Sequence, residues 1–276
     1  MNPRLDSLLA QTERATRVVA RDDYRGEVHV GVDLGTAYTV LLVLDEEFQP
    51  LAGAYRFANV VRDGLVVDFI GAIDLLRELK REVESRVGFE LTHAATGFPP
   101  GVPRVEVRAT ANVLRAAGFD CRVEIDEPTA ANAALQIRDG AIVDVGGGTT
   151  GIAILRDGRV IYTADEATGG AHFTLVIAGA LNLSFEDAEK LKTNAREQDR
   201  LYPLVRPVME KVGTIVARHI QHRGVETIYL VGGTANFQGI AGVVEEVTGV
   251  KTQIPTHPLF VTPLGIAMND KIQEAH

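Results

Sequence analysis

Asp144-Val145-Gly146-Gly147-Gly148-Thr149-Thr150-Gly151 stands between two apolar runs, Ala141-Ile142-Val143 before it and Ile152-Ala153-Ile154-Leu155 after it. The runs read as strands and the glycines as the turn that joins them. Three consecutive glycines are unfavourable at such a place, because they lose much chain entropy on folding and bring no side chain to the packing. They make sense where something must approach the backbone very closely. A flexible loop is the alternative, but strands on both sides favour a tight, ordered hairpin. The amide groups of a small, glycine-rich turn can converge on an anion such as phosphate. Asp144 would repel a bare phosphate and becomes useful once a Mg²⁺ ion, which prefers oxygen ligands and retained water, lies between them.

Outward from this stretch the pattern continues. The turn Arg156-Asp157-Gly158 and a third strand, Val160 to Thr163, complete a meander, with Asp-Gly as a strong hairpin signal. The same grammar stands earlier in the chain. Val28 to Asp33 is an apolar run ending in an acid, Gly35-Thr36-Ala37-Tyr38-Thr39 is a small-residue turn, and Val40 to Leu44 is a second run. Asp45-Glu46-Glu47 turns into a third run, Leu51 to Phe57, and Ile73, Leu76, Leu79, Val83 and Val87 follow at helical spacing. Asp33 and Asp144 therefore stand at equivalent points of two meanders, and a repeat of this size implies a duplicated fold whose copies face one another. Taken alone, the Asp33–Thr39 turn could equally be an ordinary glycine hairpin.

Three further stretches carry chemistry-bearing residues. In Glu127-Pro128-Thr129-Ala130-Ala131-Asn132, Pro128 fits a first helical position and the small residues after it permit close interdomain packing. Glu127 at the helix mouth could orient a water, or could simply be a favourable N-terminal charge. Ser184 opens a helix with Asp187 as its capping partner, and Glu189 and Lys192 share a face of it, by default as a surface ion pair. Tyr229-Leu230-Val231 runs into Gly232-Gly233-Thr234, a glycine turn of the kind that can hold a nucleotide against its backbone.

Composition narrows the classes. Hydrophobic residues make up 46% and charged residues 24%, enough apolar material for a core built from Val, Leu, Ile and Ala, since Trp is absent. A net charge of −9 without a basic run disfavours nucleic acid and membrane surfaces as partners. Cys121 is the single cysteine, which fits a reducing compartment and a core role. With no transmembrane-length apolar stretch and no signal-peptide core, we expect a cytoplasmic protein. At the N-terminus, Leu5, Leu8, Leu9, Thr12 and Thr16 recur at helical spacing. That helix either docks on a partner or covers an edge of the first domain.

In order, these motifs resemble the nucleotide signature of the actin/Hsp70/sugar-kinase superfamily: Asp33–Thr39 phosphate-1, Glu127–Asn132 the first connecting segment, Asp144–Gly151 phosphate-2, Gly232–Thr234 the adenosine turn, and Thr262-Pro263-Leu264-Gly265-Ile266-Ala267 the second connecting helix. Val61 to Phe69 is similar to the bacterial actin-like proteins of the cell-shape group. His93 to Gly101 and Ala164 to Gly170 look like the ethanolamine-utilisation EutJ family, and the resemblance covers Val28 to Ala267.

The resemblance implies an α/β fold of duplicated ribonuclease-H-like (actin-like ATPase) domains with a nucleotide cleft between them. It implies ATP and Mg²⁺ as cofactors, ATP and ADP as ligands, and slow hydrolysis. Asp33 and Asp144 would hold the hydrated metal. Gly35, Thr36, Ala37 and Tyr38, with Gly146, Gly147, Gly148, Thr149 and Thr150, would wrap the phosphates. Glu127, with Asp33, would serve catalysis by positioning the attacking water. Glu189 and Lys192 would reach ribose and adenine, Gly169 and Gly170 would open a neighbouring helix, and Gly232, Gly233 and Thr234 would lie under adenine. Hsp70 proteins carry an acid where this chain has Gly151, and neither their catalytic lysine nor a peptide-binding domain has a counterpart here, which argues against rapid hydrolysis.

The expected division is an amphipathic segment at 1–26, a first domain at 27–140 completed by a C-terminal helix at 256–276, and a second domain at 141–255. The function implied is a nucleotide-switched, chaperone-like accessory factor of ethanolamine utilisation, associated with a bacterial microcompartment and acting on a pathway enzyme or shell protein. A filament-forming scaffold is the alternative, and a small-molecule kinase a third, for which Asp126 and Asp165 are the available acids.

Overall fold

The computed structural model describes residues 3–19, 24–58, 60–62, 65–102 and 104–271. Asp63 and Gly64 of the Val61–Phe69 signature, and part of the connection at 21–27, lie outside the described residues. The chain divides into two compact units, Met1–Gln136 with Phe260–His276, and Ile137–Leu259.

The first unit is built on a five-stranded sheet. Its strands are β1 (Val28–Leu34), β2 (Tyr38–Asp45), β3 (Pro50–Phe57), β6 (His93–Phe98) and β7 (Asp120–Asp126), ordered β3-β2-β1-β6-β7. β1, β2 and β3 pair antiparallel, while β6 and β7 run parallel to β1. A two-residue hairpin, β4 (Val61–Arg62) and β5 (Leu65–Val66), leads into helix α2 (Phe69–Val87), whose first turn is capped by the Asp68 carboxylate accepting the Gly71 N–H at 2.8 Å. Ile73, Leu76, Leu79, Val83 and Val87 of α2 are buried in the main core with Val30, Val32, Leu41 and Val43 of the sheet. Helix α3 (Arg104–Ala116) joins β6 to β7.

Helices α4 (Glu127–Leu135) and α9 (Val261–Met268) pair closely in this unit. A β-carbon on Gly265 would overlap the Ala130 carbonyl, so only glycine allows the approach. The small residues of α4, expected to permit packing between domains, thus serve contact with a helix of the same unit. Helix α1 (Pro3–Ala15) packs on β3 with Leu5 and Leu9 buried, and the Arg86 guanidinium ties it in by donating to the carbonyls of Thr16 (3.1 Å) and Gly53 (2.5 Å). Its apolar stripe is used inside the chain, which favours the edge-covering role over partner docking.

The second unit repeats the plan. β8 (Gly140–Val145), β9 (Thr150–Arg156), β10 (Arg159–Glu166), β11 (Thr227–Val231) and β12 (Lys251–Gln253) form a sheet of order β10-β9-β8-β11-β12. Again the first three strands are antiparallel and the last two parallel to β8. Helices α5 (Gly170–Leu181), α6 (Phe185–Thr193), α7 (Gln198–Ile220) and α8 (Ile240–Thr248) supply a core of Phe173, Ile177, Val205, Met209 and Val243 against Val143, Ile152 and Leu230. The duplication read from the two meanders is present, in the actin-like plan that the resemblance implies.

Candidate functional site

In each unit the parallel strands end on one edge, and ligands in open α/β sheets gather at that carboxyl edge. In the first unit the register pairs Leu34 with Thr39, and the Gly35 N–H donates to the Tyr38 carbonyl at 3.1 Å, closing a four-residue turn at 35–38. In the second, Val145 pairs with Thr150 and the Gly146 N–H donates to the Thr149 carbonyl at 3.0 Å, closing the same turn at 146–149. Asp33 and Asp144 each stand two residues before their turn and are half-buried. The correspondence read from the sequence holds residue for residue.

Glu127 follows β7 directly, so it belongs to the same edge of the first sheet as Asp33. Its Cγ would be 3.5 Å from a β-carbon on Gly97 of β6, so the side chain leans towards the strand beside β1. The helix starts one residue earlier than Pro128 suggests, because Asp126 is the N-cap and its carboxylate accepts the Thr129 N–H at 3.0 Å. With Asp126 occupied as a cap, one of the two acids offered for a kinase is committed to structure.

The second unit gathers four separated sequence motifs around one loop. The Gly146 carbonyl accepts from the Gly170 N–H (2.9 Å) and from the Thr234 hydroxyl (2.8 Å), and the Gly147 carbonyl accepts from the Ala171 N–H (2.7 Å). Every described peptide bond is trans, and in a trans peptide the N–H points opposite to the C=O. The amides of Gly147 and Gly148 are therefore directed away from α5. Two adjacent amides on one side of a turn form the nest that suits an anion. The first donors of α5 are spent on holding the loop, so Gly169 and Gly170 act as its scaffold. No described glycine with left-handed backbone lies in 146–148; the glycines are there for close approach, not for positive φ.

Gly232 does need such backbone. Its φ is 89°, and a β-carbon there would overlap Asp144 Oδ1 and come within 2.7 Å of the Val145 carbonyl. The turn after β11 thus fits around the end of β8, and Thr234 reaches on to Gly146.

Glu189 and Lys192 are not the surface pair that spacing alone suggests. Both are buried, with Lys192 Nζ 2.6 Å from Glu189 Oε2. Lys192 also donates to the Gly170 carbonyl (3.1 Å) and the Thr174 hydroxyl (3.0 Å), and Thr174 donates to Glu189. Burial pulls the Lys192 ammonium below the ordinary lysine range, against the opposing pull of Glu189. The pair braces the first turn of α5 and through it the glycine loop. Ordinary i,i+3 spacing gave no hint of this, and Thr174 was missed altogether.

Thr168 escaped sequence reasoning, and Asp165 was named there only as an acid that a kinase could use. Thr168 is buried and its carbonyl accepts the Thr150 hydroxyl at 2.6 Å, fixing the far side of the loop. Asp165 pairs across Gly151, which in turn pairs with Asp144. A β-carbon on Gly151 would lie 3.7 Å from Asp165 Oδ1 and 3.9 Å from Asp144 Cβ, so the two acids flank the glycine on one face of the sheet. Among the described residues no cluster of three or more His, Cys, Asp or Glu is grouped as for a metal, and no helix is long and apolar enough to cross a membrane. Cys121 is free and buried, its thiol pushed up to about 11, chiefly by burial, as befits a core residue.

Comparison with known proteins agrees with the plan. The sequence model of the family "Type IV pilus assembly protein PilM" matches residues 107–263. Ethanolamine utilization protein EutJ of Escherichia coli K12 is 41% identical over 98% of this chain and 94% of its own length. The crystal structure of EutJ from Carboxydothermus hydrogenoformans superposes with a TM-score of 0.91 at 44% identity, covering 96% of this chain and 98% of that one. MreB5 of Spiroplasma citri bound to AMPPNP, at 18% identity and a TM-score of 0.68 over 89% of this chain and 96% of its own, shares the fold.

Proposed function

Since the chain belongs to the family of ethanolamine utilization protein EutJ, we propose that it is an ATP- and Mg²⁺-binding accessory factor of ethanolamine utilisation. Over residues 107–263 it also belongs to the family of type IV pilus assembly protein PilM. The observation that carries the nucleotide assignment is the pair of amides at Gly147 and Gly148, turned away from α5 because the Gly146 and Gly147 carbonyls are tied to it. An anion nest that begins two residues beyond Val145 and three beyond the half-buried Asp144 suits a phosphate chain neutralised by a hard cation.

Each role is proposed from the chemistry of the residue. Asp144 and Asp33 are the acids for the hydrated metal, and the turns at 35–38 and 146–149 receive phosphate oxygens. Gly169, Gly170, Glu189, Lys192 and Thr234 hold the second turn in shape. Gly232 and Gly233 supply the backbone turn beside it. Glu127 accepts a proton from, or orients, a water for slow hydrolysis. When bound, the metal would neutralise phosphate charge; the chain's own work is to place the oxygens and exclude alternatives. MreB5, which shares this fold, is described as bound to AMPPNP, a relation that supports the ligand class. The nucleotide state would switch association with an ethanolamine-pathway enzyme or a microcompartment shell protein, a chaperone-like role.

Glu127→Ala tests the catalytic half. It is expected to keep ATP binding and lose most turnover, because positioning a water acts on the transition state more than on the ground state. Unchanged turnover would assign hydrolysis to another group.

A further inference from the structure

Helix α3 and the outer strand β7 enclose a cavity of about 510 Å³ in the first unit, lined by Phe98, Val107, Arg108, Asn112, Arg115 and Glu124. That volume lies inside the roughly 300–1,000 Å³ of ligand-binding pockets. Nothing in the nucleotide assignment uses it. Val105, Arg108, Asn112 and Arg115 follow the 3-4-3 spacing of one helix face, and Val105 is 73% exposed at its start. Arg115 is steadied by donating to Asn112 Oδ1 at 3.2 Å. Among the described residues neither arginine, nor Glu124, has an opposite charge within ion-pair distance. In a chain of net charge −9, this cavity brings two guanidinium groups together with Phe98 and Val107.

We propose that this cavity docks an extended acidic segment of a partner protein. Charge complementarity selects the occupant: carboxylates meet Arg108 and Arg115 in fork geometry, an apolar side chain lies against Val107 and Phe98, and Glu124 accepts from a backbone amide. The reach agrees. Seven residues of helix separate the arginines by about 10 Å along the axis. Acidic side chains at alternate positions of an extended segment recur about every 7 Å on one side, within span of two long arginine side chains. Arginine and aromatic anchors in a partly enclosed pocket are also what protein contacts concentrate their affinity on.

The test uses the full chain and a displayed random heptapeptide library. Panning on the parent protein is expected to enrich peptides with two acids at i and i+2 and a neighbouring apolar residue. The enriched peptide, synthesised and titrated, is expected to lose roughly tenfold or more in affinity with Arg108→Glu or Arg115→Glu, since repulsion replaces attraction. Arg108→Gln and Arg115→Gln, with unchanged melting temperatures, are expected to weaken it less, and Arg159→Gln, at an exposed arginine of the second unit, not at all. No acidic enrichment, equal affinity for the charge-reversed variants, or displacement of the peptide by millimolar inorganic phosphate would overturn the proposal, the last by making the cavity a small-anion site.

Discussion

The buried pair Glu189–Lys192 gives the sharpest test of how the second glycine loop is held. Lys192→Met leaves the Glu189 carboxylate buried with only the Thr174 hydroxyl, and removing one member of a buried pair costs about 3–5 kcal/mol. Glu189→Leu leaves the ammonium with the Gly170 carbonyl and Thr174. It should cost less, because burial already disposes Lys192 to lose its proton. The double variant Glu189→Leu/Lys192→Met removes both charges and should fall within about 1 kcal/mol of the parent, as apolar replacements of buried pairs often do. Urea unfolding of the four proteins, followed by a probe of the second unit, measures the coupling. The pH dependence supplies an independent check. A lysine with a depressed native value contributes stability above the ordinary lysine range and loses it as pH falls through the native value, so the parent gains stability on the way up and Lys192→Met lacks that gain. Single variants that each cost under about 1 kcal/mol, or a double variant as unstable as their sum, would refute the bracing role.

Other expectations follow from single positions. Gly232→Ala forces a side chain into left-handed backbone, about 1–2 kcal/mol, and adds the overlap with Asp144; urea unfolding should show a larger total loss, and a silent variant would mean the turn relaxes freely. Leu9→Ala should lower stability by about 2–5 kcal/mol, because Leu9 is fully buried where α1 packs on β3; a loss near zero would return the helix to partner docking. Asp270 is buried, accepts the Val30 N–H at 2.8 Å, stands 3.3 Å from His93 Nε2, and leaves Oδ1 without a hydrogen bond. Burial raises its carboxyl above the ordinary range, with Val30, His93, Arg122 and His29 pulling the other way. Its stabilising contribution is full below the unfolded value and lost as pH rises through the native one. Asp270→Asn should therefore flatten the melting profile over that interval and stay within about 1 kcal/mol of the parent at neutral pH; an unchanged profile would remove Asp270 as its source.

The two meanders were legible because an acid, a small-residue turn and alternating apolar runs specify strand, turn and strand locally. The identical registers Leu34–Thr39 and Val145–Thr150 followed from that. Asp165 was harder. Counting outward from the Arg156–Arg159 turn sets it opposite Thr150, but an irregularity between Val160 and Tyr162 shifts the pairing so that it faces Gly151. A slip of one residue moves a side chain to the other face, and no local pattern announced it. Glu189 and Lys192 have the spacing of countless exposed pairs, and only the packing of α5 on α6 buries them. Likewise the stripe of α1 was readable, while the strand it covers was not. Asp126 against Pro128 shows the same limit at a helix start, since capping by a carboxylate moved the boundary by one residue.

Titration of the full chain with ATP by calorimetry, in Mg²⁺ and then in excess EDTA, tests the nucleotide assignment most directly, with Asp144→Ala alongside. Saturable one-to-one binding in Mg²⁺ is expected, with a gain of about 2.7 kcal/mol in stability at a hundredfold excess over Kd. Chelation and Asp144→Ala should each weaken binding severely. No binding heat and an unchanged melting temperature in millimolar MgATP would contradict the account.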